Sequence, residues 1–353
     1  MTRLVDVLVI GGGQAGLAAG YYLRRAGAHF VILDAQDRPG GAWRHAWPSL
    51  RLFSPAQHSS LPGRMMPVPP GGGYPSAADT VAYLADYEQR YDLPVLRPVQ
   101  VHAVRRGGER LTVETDAGAW QARIVISATG TWWRPYVPHH PGIRDFQGEQ
   151  LHTAGYRGPE PFRGRRVVIV GGANSAAQIL AEVSTVADTT WVTLRPPRLL
   201  PDDIDGRALF TLATRRAQGG DGIGDLGDIV AVPPVREARD RGALKAEPMF
   251  HRITLDGIAW PDGTGQAADA IIWCTGFRPA LGHLAPLRLR GRGGLIPVEG
   301  TRAIDEPRLH LLGYGDWTGL ASATLIGAAR TARQTIVEVL ASLGVSSGLR
   351  TSR

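Results

Sequence analysis

Val5-Asp6-Val7-Leu8-Val9-Ile10-Gly11-Gly12-Gly13-Gln14-Ala15-Gly16 decides the fold of this chain. Val5 to Ile10 is short and rich in β-branched residues, as a strand buried in a parallel sheet requires. Leu17 to Ala26 then reads as a helix, Gly27 as its stop, and His29 to Asp34 as a second strand. Gly11, Gly13 and Gly16 therefore stand between a strand and a helix, and Asp34 closes the second strand 18 residues after Gly16. The three glycines serve different ends. Gly11 permits the tight turn, Gly13 lets a pyrophosphate approach the backbone, and Gly16 lets helix and strand pack closely. The phosphates then rest on the helix N-terminus, and Asp34 accepts hydrogen bonds from a ribose.

The pattern recurs. Arg166 to Val170 is a strand, Gly171-Gly172-Ala173-Asn174-Ser175-Ala176 the turn, Ala177 to Val186 the helix and Thr189 to Leu194 the second strand. Ala173 and Ala176 replace the second and third glycines, and Arg195 replaces the acid at the strand end. An arginine there suits a 2′-phosphate, which favours NADPH over NADH as the ligand. Alternating runs follow each unit, at Val99–Val104, Leu111–Thr115 and Trp120–Ile124, and again at Phe250–Leu255, Gly257–Trp260 and Ala267–Ala270. Each trio reads as a β-meander. Each then delivers the chain into a buried strand and a small-residue turn, Ser127-Ala128-Thr129-Gly130 and Trp273-Cys274-Thr275-Gly276.

The expected fold is therefore α/β: two Rossmann-like dinucleotide-binding domains in a glutathione-reductase-like arrangement, each with an inserted β-meander. Residues 1–140 form the first domain, 141–160 a linker, 161–285 the second domain, and 286–353 the return to the first. Ser76 is expected to cap a helix from Asp79 to Tyr91. Leu209 to Ala217 reads as helix and Gly219 to Gly227 as a mobile loop. The tail gives a strand over Leu309–Asp316 and a helix over Ala321–Leu343, with Asp316 placed either to hold a polyol chain or to cap that helix.

Composition bounds the function. With 43% apolar and 20% charged residues the chain is an ordinary globular one. The net charge of +7 does not signal nucleic acid, because Lys245 is the only lysine and the arginines are scattered without interleaved aromatics. Cys274 is the only cysteine, so neither an internal disulfide nor a C-x-x-C redox pair is available. No apolar run approaches the ~18 residues of a membrane span, and Met1 leads into the first strand without a signal peptide, so a cytoplasmic protein is expected.

Together these residues resemble the class B flavin-dependent monooxygenases, which include flavin-containing and Baeyer–Villiger enzymes. Phe146, Gly148, His152 and Tyr156 match the linker signature F-x-G-x-x-x-H-x-x-x-[YFW] of that family. The final tyrosine leans toward the flavin-containing type. The run Trp47 to Pro55 and the compact length are similar to the small bacterial ArsO-type enzymes encoded with arsenic-resistance genes. The resemblance implies FAD on Gly11, Gly13, Gln14, Ala15, Gly16, Asp34, Gly41, Trp43, Ser54, Val101, Thr129, Gly130 and Asp316. It implies NADPH, with NADH as the alternative, on Gly171, Asn174, Ser175, Arg195, Thr275 and Gly276. Two departures stand out: Leu52-Phe53-Ser54 replaces the Thr-Asn-Thr segment of eukaryotic members, and Pro196 follows Arg195 where the family has serine or threonine.

The implied reaction inserts one oxygen atom of O2, by way of a C4a-peroxyflavin, into a small soft nucleophile (a sulfide, amine or organoarsenical) or into a ketone. The flavin performs that chemistry, so side chains orient and shield. Ser54, Arg51 and His152 are the catalytic candidates, with His152 read as a hinge anchor ahead of a general acid. No metal site is expected, because the histidines lack ligand spacing. Trp132-Trp133 reads as packing rather than a substrate cage. An NAD(P)H:flavin/quinone oxidoreductase without oxygen transfer and a non-catalytic redox-sensing nucleotide-binding protein are the rival readings. The expected partner is a small substrate, with neither nucleic acid nor membrane, and the chain acts as a monomer or homodimer.

Overall fold

The computed structural model describes residues 2–202 and 229–345. The helix expected over 209–217 and the loop over 219–227 lie outside the described residues. Arg3–Ile10 forms β1, Gln14–Arg25 α1 and Phe30–Leu33 β2. Ala77–Arg90 forms α2 and Val95–Leu96 β3, followed by β4 (Val101–Gly107), β5 (Arg110–Thr115) and β6 (Gly118–Ser127). Helix α2 starts at its expected cap: Ser76 Oγ accepts from the Asp79 N–H at 3.1 Å, and Asp79 accepts from the Ser76 N–H at 2.8 Å. This reciprocal box satisfies two backbone donors at once.

The first meander is simpler than the sequence suggests. Its third strand and the buried strand expected after it are one strand, β6, antiparallel to β5 and parallel to β1 from Arg3↔Trp120 to Ile10↔Ser127. No glycine or proline lies between Ala119 and Ser127 to break it. Its alternating first half is covered on one face, and its last four residues are buried on both.

The second unit contains β7 (Glu149–His152), β8 (Arg166–Val170), α3 (Asn174–Val183), β9 (Asp188–Thr193), α4 (Pro233–Asp240) and β10 (Ala246–Pro248). Strands β11 (Arg252–Ile253), β12 (Gly257–Ala259) and β13 (Gly265–Ala267) make a separate antiparallel sheet, and Ala270–Trp273 forms β14. The chain returns through β15 (Val298–Glu299), β16 (Arg302–Ala303), β17 (Glu306–Leu311) and α5 (Leu325–Ser342). The first sheet has nine strands, in the order β15-β16-β17-β6-β1-β2-β3 with β4 and β5 off β6. The second is parallel throughout, in the order β10-β9-β8-β14-β7.

This order bears on residues 141–160, the expected linker. Residues 149–152 are the edge strand of the second sheet, in register from Ala270↔Glu149 to Trp273↔His152. Both sheets are covered on two faces. Val7 and Val9 of β1 enter a core with α1, α2 and α5, while Leu8 and Ile10 enter another with β4 and β5. In β8, Val167 and Ile169 face the core built with α3 and α4, and Val168 and Val170 face Phe250 and Trp273. No helix among the described residues is long and apolar enough to cross a membrane.

Candidate functional site

The C-terminal ends of β1, β2 and β6 open into a cavity of about 740 Å³. Its floor is the glycine turn. Gly11 has φ +108°, and a Cβ there would lie 2.5 Å from the Ala128 carbonyl oxygen. A Cβ on Gly16 would lie 1.9 Å from the Gly11 carbonyl oxygen, so any side chain would push α1 off the turn. A Cβ on Gly13 would meet nothing within 4 Å, which leaves its backbone open to the cavity. Gly13 is also the N-cap of α1, with no side-chain cap and no acid in the first turn. The first N–H groups of the helix thus keep their positive potential for an anion. A dinucleotide pyrophosphate fits this cradle of bare backbone.

Gly11, Gly13, Gln14, Ala15, Asp34, Gly41, Trp43, Val101, Thr129 and Gly130 all line this cavity. Gly16 lies beneath it as a packing contact. Asp34 is held by a buried ion-pair relay. Arg97 Nε donates to its Oδ2 at 2.8 Å, and the other Arg97 nitrogens donate to both Glu88 oxygens at 2.5 and 2.7 Å. A second polar cluster joins three separate stretches: His283 Nε2 lies 3.0 Å from Ser127 Oγ, which lies 2.7 Å from Tyr314 Oη, itself 2.7 Å from Thr129 Oγ1. Sequence reasoning found neither Arg97 nor the Ser127–His283–Tyr314 group, whose members become neighbours only when distant strands align.

Ser54, Arg51 and Asp316 also lie outside the lining. Ser54 turns inward on its own loop, its Oγ 2.7 Å from Ser59 Oγ. The backbone of Arg51 is clasped by Gln178 of α3, its N–H donating to Oε1 and its carbonyl accepting from Nε2, both at 3.1 Å, while its side chain is exposed. The segment around residue 51 is drawn onto the second unit, which removes both candidates from the cavity. Asp316 is exposed and accepts from the Ala321 N–H at 3.0 Å, bridging the loop ahead of α5; Gly313 and Ala323 line the cavity instead.

Aromatic rings flank the cavity. Trp132 stacks on Phe277 at 5.1 Å, His45 stacks on Trp132 at 6.0 Å, and Trp133 meets His45 edge-on at 5.1 Å. Trp132 and Trp133 were expected to be packing residues, yet both line the cavity, and Trp133 is 54% exposed. Trp43 Nε1 donates to Gln14 Oε1 at 2.9 Å, and Gln14 Nε2 donates to the Ala323 carbonyl at 2.6 Å, tying this wall to α1.

The second unit repeats the turn. Gly171 has φ +141°, and a Cβ there would lie 2.3 Å from the Cys274 carbonyl oxygen, the counterpart of Gly11 against Ala128. Helix α3 begins after Ala173 with no side-chain cap and no acid in its first turn. Asn174 Oδ1 accepts from the Val230 N–H at 2.9 Å, and Ser175 is the next residue of the helix. Arg195 lies two residues beyond β9 and is exposed. Thr275 Oγ1 donates to the Tyr136 carbonyl, and the Gly276 carbonyl accepts from the Tyr136 N–H at 3.0 Å.

His152 also binds Gly276. Its Nδ1 accepts from the Ala154 N–H at 3.1 Å, so its proton is on Nε2, which donates to the Gly276 carbonyl at 2.9 Å. Both ring nitrogens are engaged, and burial lowers the ring pKa. This geometry suits an anchor and leaves no proton free for acid catalysis. Cys274 is buried, and burial pushes its thiol up to about 12, which keeps it protonated and unreactive.

Residues 8–200 match the pyridine nucleotide-disulphide oxidoreductase family. An uncharacterised CzcO-like oxidoreductase from Geobacillus kaustophilus is 31% identical, spanning 93% of this chain and 95% of that protein. Flavin-containing monooxygenase FMO GS-OX2 from Arabidopsis thaliana is 30% identical over 77% of this chain and 60% of its own length. Among solved structures, a flavin-containing monooxygenase from Stenotrophomonas maltophilia superposes with a TM-score of 0.91 at 55% identity, covering 97% of this chain and 100% of that one.

Proposed function

The chain belongs to the pyridine nucleotide-disulphide oxidoreductase family and is a flavin-dependent monooxygenase, and from that premise we propose a specific reaction and cofactor pair. FAD occupies the 740 Å³ cavity, NADPH docks on the second unit, and one oxygen atom of O2 passes to a small sulfide, amine, organoarsenical or ketone. The observation that carries the reading is the cavity floor, where the glycine turn and the uncapped N-terminus of α1 present bare N–H groups to a pyrophosphate. Bound flavin supplies hydride acceptance and oxygen activation. The chain's own residues do the rest. The α1 turn holds the phosphates, Arg97 aims Asp34 at a ribose, and the Trp43, Trp132, Trp133 and Phe277 rings exclude water from the reacting face.

Arg195, at the end of the second unit's second strand, reads the 2′-phosphate of NADPH. Arg195→Ala is expected to raise KM for NADPH about tenfold or more while leaving KM for NADH nearly unchanged, because a charge-assisted contact of about 1.5–3 kcal/mol is lost only with the phosphorylated cofactor. Equal effects on both would remove Arg195 from this role. The decisive experiment is turnover under ¹⁸O₂ with a panel of sulfides, amines, ketones and organoarsenicals. One labelled oxygen in a product supports the proposal. Quantitative hydrogen peroxide with every substrate, and reduction of quinones instead, would replace it with a reductase.

A further inference from the structure

Resting on the reading of the cavity as the flavin dinucleotide's site, we propose that His283 is a positioning residue there. Its ring is locked in one neutral form, whose bare Nδ1 accepts a hydrogen bond from a hydroxyl or amino group of the bound dinucleotide.

The lock follows from counting hydrogens along a buried chain. Thr129 Oγ1 gives its one hydrogen to the Ala280 carbonyl at 2.8 Å, so toward Tyr314, 2.7 Å away, it only accepts. Tyr314 Oη therefore donates to Thr129, and it must accept from Ser127 Oγ at 2.7 Å, as it accepts from the Thr129 N–H at 3.3 Å. The Ser127 hydrogen is then spent. At 3.0 Å from His283 Nε2 its oxygen can only accept, so Nε2 carries the proton. Reversing any one hydroxyl would set two hydrogens against each other or leave two lone pairs facing, inside a region where Ser127 is fully buried.

A neutral imidazole with its proton on Nε2 has a lone pair on Nδ1. Burial drives the ring's pKa down to about 4, so no second proton occupies that site at neutral pH. No hydrogen bond to Nδ1 is formed among the described residues. Nor is the atom sealed in the core: the buried ring nitrogens without a partner are His140 Nδ1 and His310 Nε2. His283 is 8% exposed and lines the cavity. A ring so buried, lining a ligand site and with no donor to Nδ1 among the described residues, takes that donor from the ligand or leaves a costly unpaired atom.

The chemistry is selective. Phosphate oxygens accept and cannot satisfy Nδ1, whereas the α1 N-terminus attracts them. Acceptor and donor sites in one cavity thus fix the register of a ligand that carries both hydroxyl or amino groups and phosphates.

The test is ¹⁵N NMR of the full chain labelled at histidine, with and without FAD, the His283 signals being those lost in His283→Phe. The expected result is the Nε2–H tautomer in the apoprotein and an Nδ1 resonance that moves on FAD addition as it accepts a hydrogen. His283→Phe should also weaken FAD binding about tenfold, with unchanged circular dichroism. ADP-ribose affinity falling in parallel supports the proposal with a donor on the adenylate half; unchanged ADP-ribose affinity supports it with a donor on the flavin half. Should His283→Phe fail to fold, Ser127→Ala reads the lock from its other end, since removing the acceptor lets the Nδ1–H form appear. An Nδ1–H tautomer in the unaltered protein, or an Nδ1 signal indifferent to bound FAD, overturns the proposal. If the unaltered protein takes up no FAD, the cavity reading falls and this inference with it; if FAD binds and Nδ1 does not respond, this inference alone falls.

Discussion

His310 is a buried histidine with no ligand to answer to. Thr335 Oγ1 donates to the Thr331 carbonyl at 2.9 Å and so accepts from Thr301 at 2.9 Å, which in turn accepts from His310 Nδ1 at 3.1 Å. Nε2 is left buried without a partner, and burial, aided by Arg302, lowers the ring pKa to about 4. The folded pKa lies below the unfolded value near 6.5, so the unfolded chain binds the proton first. The stability tied to this neutral ring is complete above about pH 6.5 and is lost as pH falls through about 4, a change of about 3 kcal/mol. Urea midpoints should therefore fall between pH 6.5 and 4, and His310→Leu should flatten part of that fall. A midpoint flat across the window would contradict the buried neutral ring. Arg97 makes the opposite case of a buried charge that is fully used. Its side chain is 9% exposed and joins Asp34 to Glu88, so Arg97→Met leaves two acids unpaired and should cost about 3–5 kcal/mol, measurable by denaturant titration.

At the level of a single element, the stretch from Phe146 to Tyr156 can be explained position by position. Phe146 plugs the core against Phe250 and Trp273. A Cβ on Gly148 would lie 2.4 Å from the Phe146 ring and 2.7 Å from the Asp269 carbonyl oxygen, so only glycine passes. His152 pins Gly276 at the end of β14. Tyr156 is fully buried, and its hydroxyl donates to Glu182 Oε2 at 2.9 Å. The other Glu182 oxygen accepts from Ser49 Oγ at 2.7 Å and Trp47 Nε1 at 3.3 Å. One carboxylate on α3 thus gathers the strand of the motif and a loop from the first unit. Tyr156→Phe keeps the ring and loses one charge-assisted bond, with an expected cost of about 1.5–3 kcal/mol. In a double-mutant cycle with Glu182→Ala the two losses should not add, whereas strict additivity would mean the bond contributes nothing.

Across the molecule, the parts that bind and the parts that couple come from different places. Most of the cavity is assembled in the first unit, from the ends of β1, β2 and β6 and the segment after β17, with Phe277, Ala280 and His283 added from the segment after β14, while His152 and Gly276 belong to the second unit. Phe277 touches both, stacking on Trp132 and meeting His152 edge-on at 4.9 Å. Removing the His152 anchor should therefore disturb the passage of electrons from the pyridine nucleotide more than the holding of the flavin. His152→Ala is expected to retain near-normal flavin content and to release more peroxide per reduced nucleotide consumed. Loss of flavin with normal coupling in the remaining holoenzyme would reverse that assignment.

Features under short-range control are legible in the order of the residues. The two strand–turn–helix units, the Ser76 cap and the glycine turn at residues 11–16 are all local, and their steric demands are written within a few residues. The motif at Phe146, Gly148, His152 and Tyr156 is legible in the same way, although not the fact that residues 149–152 are an edge strand, because a four-residue strand is specified by its neighbour β14. The positions of Arg51 and Ser54 depend instead on long-range contacts, since Gln178 and Glu182 lie more than a hundred residues from the loop they hold. Folding likewise sets Ser127, His283 and Tyr314 side by side, with 156 and 187 residues separating Ser127 from its two partners. Hydrogen-bond direction depends on every neighbour along such a chain, and those neighbours exist only after the sheets have formed.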